Sequence, residues 1–334
     1  MVVNGNTEIA GLGVFLPEQR VSSVSLMEEI YAEKRFGIPH TWVDRKVGIT
    51  ERRMAVAGTL PSDLAYEASI IALERANLSP EHLDLIIYCG IEKDFIEPST
   101  AHVIQKKLGA SAVCMDVMNA CQGMINGIVT ADAMLAVGQA ESVLVCSAAL
   151  TSEVMRHFIH KINTMPDDYL RDRLGIITCG DAGAAILLTK KRDNDTGIQK
   201  LLLDSRGEYT EYCYYRYENG DIEGQMLMKG MTDVINDVHI KMISNTYHYL
   251  DWTPSDVDYL VCHQVGKKSQ LDLCNISEIP LIKAPTIYEK LGNITTCSIP
   301  ATLDYIKPKK GAKILLMGGG SGLSSFQGGL VWST

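Results

Sequence analysis

Residues 78–89, LSPEHLDLIIYC, are echoed later in the chain by residues 252–262, WTPSDVDYLVC, at an offset of 174 residues. A second pair, residues 140–146 (AESVLVC) and 311–317 (GAKILLM), recurs in the same order at an offset of 171 residues. Two ordered matches at nearly one offset predict a duplicated chain. Chance similarity between α/β units is the alternative.

Each half alternates helical and strand-like segments. A helical pattern after Pro61 is followed by short runs of Val, Ile and Leu that are typical of buried strands. The alternation predicts an α/β protein whose parallel or mixed sheets are covered by helices. We place the join in the charged, turn-rich residues 190–197, which gives halves of 1–190 and 191–334. Residues 152–174 are interpreted as an insertion that lies over an active site.

Composition excludes several classes of protein. The 334 residues are 46% hydrophobic and 21% charged, which is ordinary for a globular chain too long for one small core. A net charge of −9 argues against nucleic-acid binding. No apolar stretch approaches the roughly 18 residues of a membrane span, and residues 1–13 lack a secretory signal.

The nine cysteines include no CxxC pair, and most lie in apolar, strand-like runs. This spacing predicts reduced, packed thiols in a cytoplasmic protein, and we assign them no metal.

Cys121 is the candidate nucleophile. It follows the strand-like residues 113–118 and opens a small-residue helix over 122–129. Unpaired N–H groups and the helix dipole favour an anion at such a turn, so we expect a lowered thiol pKa. The alternative is an inert buried thiol, which is the commoner case for a lone cysteine.

Two other polar residues end strand-like or turn segments. His263 follows the strand-like residues 259–262, at the carboxyl edge where open α/β sheets place their ligands. Asn293 lies in the turn LGNITT, residues 291–296. Taken singly, the first is more often a packed or surface histidine and the second a turn residue.

Together these segments resemble the 3-oxoacyl-ACP synthase III branch of the thiolase-fold condensing enzymes, nearly end to end. Five ordered motifs carry the resemblance: DVMNACQG at 116–123, ITCGDAGAA at 177–185, His263-Gln264, Gly292-Asn293 and GGGS at 318–321. The resemblance implies duplicated βαβαβαββ halves in a five-layered αβαβα arrangement, with the nucleophile in the first half and the His and Asn in the second. It also implies a homodimer that uses acyl-CoA or acyl-carrier-protein thioesters and no further cofactor.

The same resemblance implies an acyltransferase of fatty acid or polyketide metabolism. Cys121 would accept an acyl group, and His263 and Asn293 would hydrogen-bond the thioester oxygen of the second substrate in a Claisen condensation. The backbone N–H groups of Cys121 and Gly319 would form the oxyanion hole, where one donor is commonly worth about 3 kcal/mol.

Glu97, in the segment IEPS, refines this interpretation. The motif is similar to that of head-to-head acyl-CoA condensing enzymes of olefin biosynthesis and their α-pyrone-forming relatives. There the glutamate enters the partner subunit's site and removes an α-proton, so that decarboxylation is unnecessary. The alternatives are a malonyl-dependent, decarboxylative condensation and a surface glutamate near a helix start.

Three residues match positions at the thioester carrier. Trp42 and Arg173 correspond to residues that sandwich the coenzyme A adenine, and Lys268 replaces an arginine near the pantetheine entrance. A solvated lysine is the alternative for Lys268. Cys179 stands where the family commonly has a bulky apolar residue, which leaves the shape of the acyl pocket open.

Other readings are less favoured. A degradative thiolase would have a second cysteine in the terminal glycine region, and none is present. Hydroxymethylglutaryl-CoA synthases also use Cys, His and Glu, and Glu92 lies near the place of their acid. An inactive structural partner of a heterodimeric enzyme would usually have lost the nucleophile.

Overall fold

The computed structural model describes residues 1–170 and 172–333, without the side chains of Asp167 and Asp168. The strands of this part of the chain are β1 (Val2–Asn4), β2 (Thr7–Phe15), β3 (Gln19–Ser22), β4 (Glu51–Met54), β5 (Leu85–Tyr88), β6 (Val113–Asp116), β7 (Ser142–Ala149), β8 (Ala182–Lys190), β9 (Gly197–Ser205), β10 (Cys213–Glu218), β11 (Asp221–Met226), β12 (Tyr259–Cys262), β13 (Lys313–Gly320) and β14 (Ser324–Val331). Its α-helices are α1 (Ser23–Glu29), α2 (Ala32–Phe36), α3 (Pro61–Ala76), α4 (Thr100–Leu108), α5 (Gly123–Ala136), α6 (Thr151–Thr164), α7 (Met228–Leu250), α8 (Lys267–Ser277), α9 (Tyr288–Leu291) and α10 (Ser298–Ile306).

Two five-stranded sheets repeat one pattern of pairing. The first has the order β2-β8-β7-β5-β6 and the second β1-β9-β14-β13-β12. β5 pairs parallel with β7, as β12 does with β13. β7, β8 and β2 are successively antiparallel, as are β13, β14 and β9. The sequence repeats fall on these equivalent strands, so the predicted duplication is confirmed.

Side-chain alternation along the strands builds five layers. Leu85 and Ile87 of β5 face the central core, which contains α5, α10 and strands of both sheets. Ile86 of the same strand faces the outer helices α3 and α4. In β12, Val261 faces the centre and Leu260 packs toward α7 and α8. Strands buried on both faces require continuous apolar runs, which these segments have. The predicted αβαβα arrangement is confirmed.

The duplication is not exact at the sheet edges. β1 pairs antiparallel with β9, so the first strand of the chain joins the sheet of the second half. β6 pairs with β5 on one side and forms an edge of the first sheet, whereas β12 ends the second sheet without an equivalent of β6. The division into 1–190 and 191–334 stays a prediction.

A cap of helices and a hairpin covers one side of the two sheets. α6 begins one residue before the segment 152–174 that we interpreted as an insertion and forms its first half; Arg171 of that segment is outside the described residues. α6 is tied to the hairpin β10–β11, because Lys161 pairs with Asp221 at 2.8 Å and also with Glu223. Phe158 of α6 meets Tyr215 of the hairpin edge-on, with ring centroids 5.6 Å apart.

Over residues 1–170 and 172–333, no helix is both long enough and apolar enough to cross a bilayer. In the same residues, no cluster of His, Cys, Asp and Glu has a metal-binding arrangement. All nine cysteines are free thiols.

Truncating the central core should destabilise the fold strongly. Ile87 is fully buried between β5 and α5, so Ile87→Ala leaves a cavity, and we expect a loss of about 2–5 kcal/mol in the free energy of unfolding. Ile282→Ala, at a residue that is 91% exposed, is the matched control and should change it by less than about 0.5 kcal/mol. Urea unfolding followed by circular dichroism measures both, and equal midpoints would contradict this account of the core.

Candidate active site

Cys121 lies in a tight turn between β6 and α5. Ala120, just before it, has a left-handed backbone with a φ of 44°, a conformation that costs energy for a residue with a Cβ. α5 then begins at Gly123, where an added Cβ would lie 2.4 Å from the carbonyl oxygen of Cys89. The first turn of α5 is therefore pressed against the carboxyl end of β5, which fixes the position of Cys121.

The glycine-rich end of β13 lies between Cys121 and His263. A Cβ at Gly318 would be 2.6 Å from the Cβ of His263, and one at Gly320 would be 3.1 Å from the Cβ of Cys121. Only glycine lets both residues approach this strand so closely. The structure thus brings together two residues that are 142 positions apart in the sequence.

Gly319, the predicted oxyanion-hole donor, lies between these two glycines. A Cβ on it would point toward the carbonyl oxygen of Ser324, away from the contact that Gly320 makes with Cys121. The role of the Gly319 N–H stays a prediction, and Gly320 is a neighbour of the nucleophile that the sequence argument did not single out.

His263 follows β12 directly and is buried. Its Nδ1 lies 3.2 Å from Oγ of Ser298, at the start of α10. Burial lowers the pKa of the imidazole to about 4, although a hydrogen bond with the Thr295 backbone acts in the opposite direction. The ring is therefore neutral near pH 7 and can donate an N–H without carrying a charge.

The backbone of Asn293 is held by two hydrogen bonds to residues 178–180. Its N–H donates to the Thr178 carbonyl at 2.9 Å, and its carbonyl accepts from the N–H of Gly180 at 3.1 Å. Its side-chain Oδ1 accepts from the N–H of Thr295 at 3.0 Å. Because the oxygen is used in this way, the amide Nδ2 remains to donate to a ligand. Thr295, like Ala120, has a φ of 44°.

A buried arginine supports the segment against which Asn293 is bound. The guanidinium of Arg52 donates to the carbonyls of Ile177 at 2.7 Å and Cys179 at 3.3 Å, and to Oγ of Ser23 at 3.0 Å. Burial lowers its pKa to about 10, so it stays charged at neutral pH. The positions of Cys179 and Asn293 therefore depend on a charge in the interior.

The expected lowering of the Cys121 pKa is wrong. Burial raises the pKa of this thiol above its ordinary value, and the nearby Cys213, Cys179 and Glu92 act in the same direction. The backbone N–H of Cys121 lowers it, but by less. Desolvation disfavours the thiolate more than the start of α5 favours it. Cys121 is thus a protonated thiol at rest, and its proton has to be removed before the sulfur can act as a nucleophile.

Glu97 lies on the surface, beside the free edge of the first sheet. The loop that carries it is anchored to Asp116 of β6, whose carboxylate accepts from the N–H groups of Thr100 at 3.0 Å and Ala101 at 3.1 Å. Phe95 and Ile96, just before Glu97, are 51% and 99% exposed. Two apolar side chains and a carboxylate therefore project from this edge.

The predicted coenzyme A residues lie around one core cluster beneath the cap. Trp42 and Tyr169 both pack against it, and Leu174, next to Arg173, belongs to it. The Arg173 guanidinium stacks on the ring of Tyr169 at 3.8 Å. This contact within the chain was not expected from the sequence, in which Arg173 and Trp42 were predicted to sandwich an adenine.

Lys268 is mostly exposed. It pairs with Asp272 one turn later in α8, at 2.5 Å. The start of α8 packs against the turn after Trp42, since a Cβ at Gly266 would be 2.6 Å from a methyl carbon of Val47. Lys268 and Trp42 thus lie on neighbouring segments, and their binding roles stay predictions.

The hairpin β10–β11 contributes two residues that sequence reasoning missed. Cys213 is buried and Tyr215 is 39% exposed, and both interact electrostatically with Cys121. The density of tyrosines between residues 209 and 217 was the available signal. The hairpin therefore lies near the nucleophile.

Comparison with known proteins gives a consistent result. Residues 115–207 match the family described as 3-oxoacyl-[acyl-carrier-protein (ACP)] synthase III, and residues 248–332 match its C-terminal family. The beta-ketoacyl-[acyl-carrier-protein] synthase III 1 of Halalkalibacterium halodurans is 29% identical over 321 residues, which are 94% of this chain and 95% of that protein.

Solved structures of OleA from Xanthomonas campestris are similar over almost the whole length. A histidine variant has a TM-score of 0.91 at 27% identity and covers 98% of both chains. A cysteine-to-serine variant with bound lauric acid and lauroyl-CoA has a TM-score of 0.90 at 26% identity, and covers 99% of this chain and 100% of that one. Other solved forms of OleA carry substitutions of a glutamate.

The titration of His263 tests the electrostatics of the site. Because burial lowers its pKa to about 4 from the ordinary value of 6.5, the ring should stay neutral as the pH falls through 6.5 and gain a proton only near pH 4. NMR of protein labelled in its histidine rings follows this, with His263 assigned by its absence in His263→Asn. A midpoint for His263 at or above 6.5 would contradict the described burial.

Proposed function

The chain belongs to the 3-oxoacyl-ACP synthase III-like branch of the thiolase-fold condensing enzymes, which are acyltransferases, and we propose that it joins two acyl-CoA thioesters head to head without decarboxylation. Cys121 takes the acyl group of the first thioester and releases coenzyme A. An α-proton is then removed from the second thioester, and its α-carbon attacks the acyl-Cys121 carbonyl to give a β-ketoacyl product. Division into two steps is the usual logic of nucleophilic catalysis.

The observation that supports this proposal is the approach of Cys121 and His263 to the glycine-rich end of β13, with both His263 and Asn293 hydrogen-bonded to the backbone of Thr295. A neutral His263 and the Nδ2 of Asn293 are two hydrogen-bond donors suited to the thioester oxygen, on which negative charge develops when the α-proton leaves. Neither donor brings a charge that would need to be neutralised when the site is empty. The N–H groups of Cys121 and Gly319 are proposed as the oxyanion hole for acyl transfer.

We assign Glu97 as the base that removes the α-proton, acting in the site of a partner subunit. β6 is an edge strand, with Val113 66% exposed and Met118, just beyond it, 58% exposed. An unprotected apolar edge favours pairing with a second chain. A twofold dimer that pairs the two β6 edges would carry the exposed residues Phe95, Ile96 and Glu97 toward the other subunit. Homodimerisation therefore belongs to the proposed function.

The carrier of the acyl group is proposed to be coenzyme A, with an acyl-carrier protein as the alternative. Trp42 and Arg173 are proposed for its adenine, and Lys268 for a phosphate or the acidic carrier protein. OleA has been solved with lauroyl-CoA, which supports a long acyl chain for this relative. Nine free thiols fit a reducing compartment, and we propose a cytoplasmic location.

A malonyl-dependent condensation is the second candidate. The Halalkalibacterium halodurans relative carries the name of a beta-ketoacyl-ACP synthase, and the Cys-His-Asn set serves that reaction as well. Product formation from a single acyl-CoA separates the two candidates.

Supplying dodecanoyl-CoA alone tests the reaction. We expect intact-protein mass spectrometry to find one dodecanoyl adduct on the wild type and none on Cys121→Ala, together with a β-keto product that only the wild type forms. The control is Cys114→Ala, whose thiol lies on the edge strand and should leave both results unchanged.

Each failure has a distinct meaning. An adduct without product, converted to product only when malonyl thioester is added, would favour the decarboxylative candidate. No adduct on the wild type with any acyl thioester would favour the inactive structural partner. Release of coenzyme A without an adduct or product would indicate hydrolysis.

Mixed dimers test whether Glu97 acts across subunits. Glu97→Gln should still form the acyl-enzyme but lose condensation, while Cys121→Ala loses both. When the two variants are co-expressed, a mixed dimer has one complete site, so a random mixture should regain about a quarter of wild-type activity. Mixing Glu97→Gln with His263→Asn, whose lesion lies in the other half of the chain, should give the same gain. No regain in either mixture would refute action in trans.

A further inference from the structure

Glu92 is a carboxylate within the chain's own site that the proposed function leaves unused. It follows β5 by four residues, and Leu150, which directly follows β7, donates its N–H to Glu92 Oε2 at 3.4 Å. At the same edge, Ser147 of β7 bonds to Thr296 at 2.5 Å between hydroxyl oxygens, and Thr296 packs against Gly123 of α5. Glu92 is thus placed where β5 and β7 meet the segments that carry Cys121 and Asn293.

Its surroundings are those of a group that can gain and lose a proton. Within the described residues Glu92 has no cationic partner, and its nearest lysine in sequence, Lys93, pairs with Asp116 instead. It interacts electrostatically with the thiols of Cys121, Cys179 and Cys297. The other titratable groups facing it are Tyr88, Tyr215 and Asp181. Burial raises the pKa of the Glu92 carboxyl to about 7.

Asp181, a fully buried carboxylate near Glu92, has a different role. It accepts from the N–H groups of Ala55 at 2.8 Å and Ser152 at 3.0 Å, and from Oγ1 of Thr151 at 3.3 Å. Those bonds join the start of α6 to the segment after β4, so Asp181 is a structural link. Glu92, by contrast, has one long hydrogen bond from another residue, and its lone pairs remain for a ligand or a proton.

We propose that Glu92 accepts the proton of the Cys121 thiol during acyl transfer and returns it to the departing coenzyme A sulfur, an inference that rests on the proposed acyl transfer. The Cys121 S–H bond breaks, and its proton moves to a Glu92 oxygen. The Cys121 sulfur–acyl bond forms while the acyl–sulfur bond of coenzyme A breaks. The leaving thiolate takes the proton from Glu92, so no proton is gained or lost overall.

This assignment divides the proton transfers between two glutamates. Glu92 would serve acylation within one subunit, and Glu97 would serve α-proton removal in the partner's site. His263 is not suited to hold the thiol proton, because its pKa of about 4 keeps it neutral.

Single-turnover acylation of Cys121 by dodecanoyl-CoA, followed by intact-protein mass from about pH 6 to about pH 9, tests the inference. For the wild type we expect the rate to rise with pH through about 7 as Glu92 loses its proton. Glu92→Gln keeps an oxygen for the Leu150 N–H, and should slow acylation by about 10²-fold or more and remove that rise. Glu92→Asp should restore part of the rate together with the pH dependence, which a purely structural role would not do.

A control variant separates this inference from the proposed function. Glu153→Gln, at an exposed residue of α6, should acylate and condense like the wild type. A wild-type acylation rate and pH profile in Glu92→Gln would overturn the role of Glu92 and leave the proposed function intact. Should Glu92→Gln not fold, Glu92→Asp carries the test, and wild-type speed in it would overturn the inference. No adduct on the wild type would defeat both.

Discussion

The absence of side chains at Gly318 and Gly320 is the constraint on which the site depends. β13 carries these glycines to the place where two sheets and two helices meet. A methyl group on Gly318 would collide with His263, and one on Gly320 would crowd Cys121. Since protein interiors are close-packed, the neighbouring residues would have to shift to make room. The duplicated fold thus provides a rigid frame, and two missing Cβ atoms allow the halves to place their reactive groups side by side.

Local patterns in the sequence were sufficient to predict the duplicated sheets, but not the environment of Cys121. β5 and β12 were recognisable as repeats because strands buried on both faces leave continuous apolar runs. The pairing of β1 with β9 was not foreseen, since three half-exposed residues carry no such pattern. The Cys121, His263 and Asn293 segments were identified by resemblance, yet the direction of the Cys121 pKa was not. The effect of a helix start is local, whereas desolvation comes from residues such as Cys213, which is 92 positions away.

Three carboxylates near the site differ chiefly in the hydrogen-bond donors that surround them. Asp181 accepts three hydrogen bonds and joins segments of the fold. Glu92 lies inward with little to hold a charge, and Glu97 lies outward at a sheet edge. The same functional group is thus a structural link at Asp181, and is proposed as a proton carrier at Glu92 and as a base in the partner's site at Glu97, according to which donors surround it. Sequence spacing alone could not separate these roles, because it does not reveal which backbone N–H groups converge on each oxygen.

The left-handed backbone at Ala120 affects how substitutions next to the nucleophile would act. Glycine would adopt a φ of 44° with less strain, and would also give the unfolded chain and the turn more freedom. Alanine restricts the conformations of the turn. The contacts that Gly123 and Gly320 make around it hold Ala120 in its strained, left-handed conformation. A substitution chosen only to relieve backbone strain would therefore relax the residue next to the Cys121 sulfur. A more stable protein obtained in this way would be a slower catalyst.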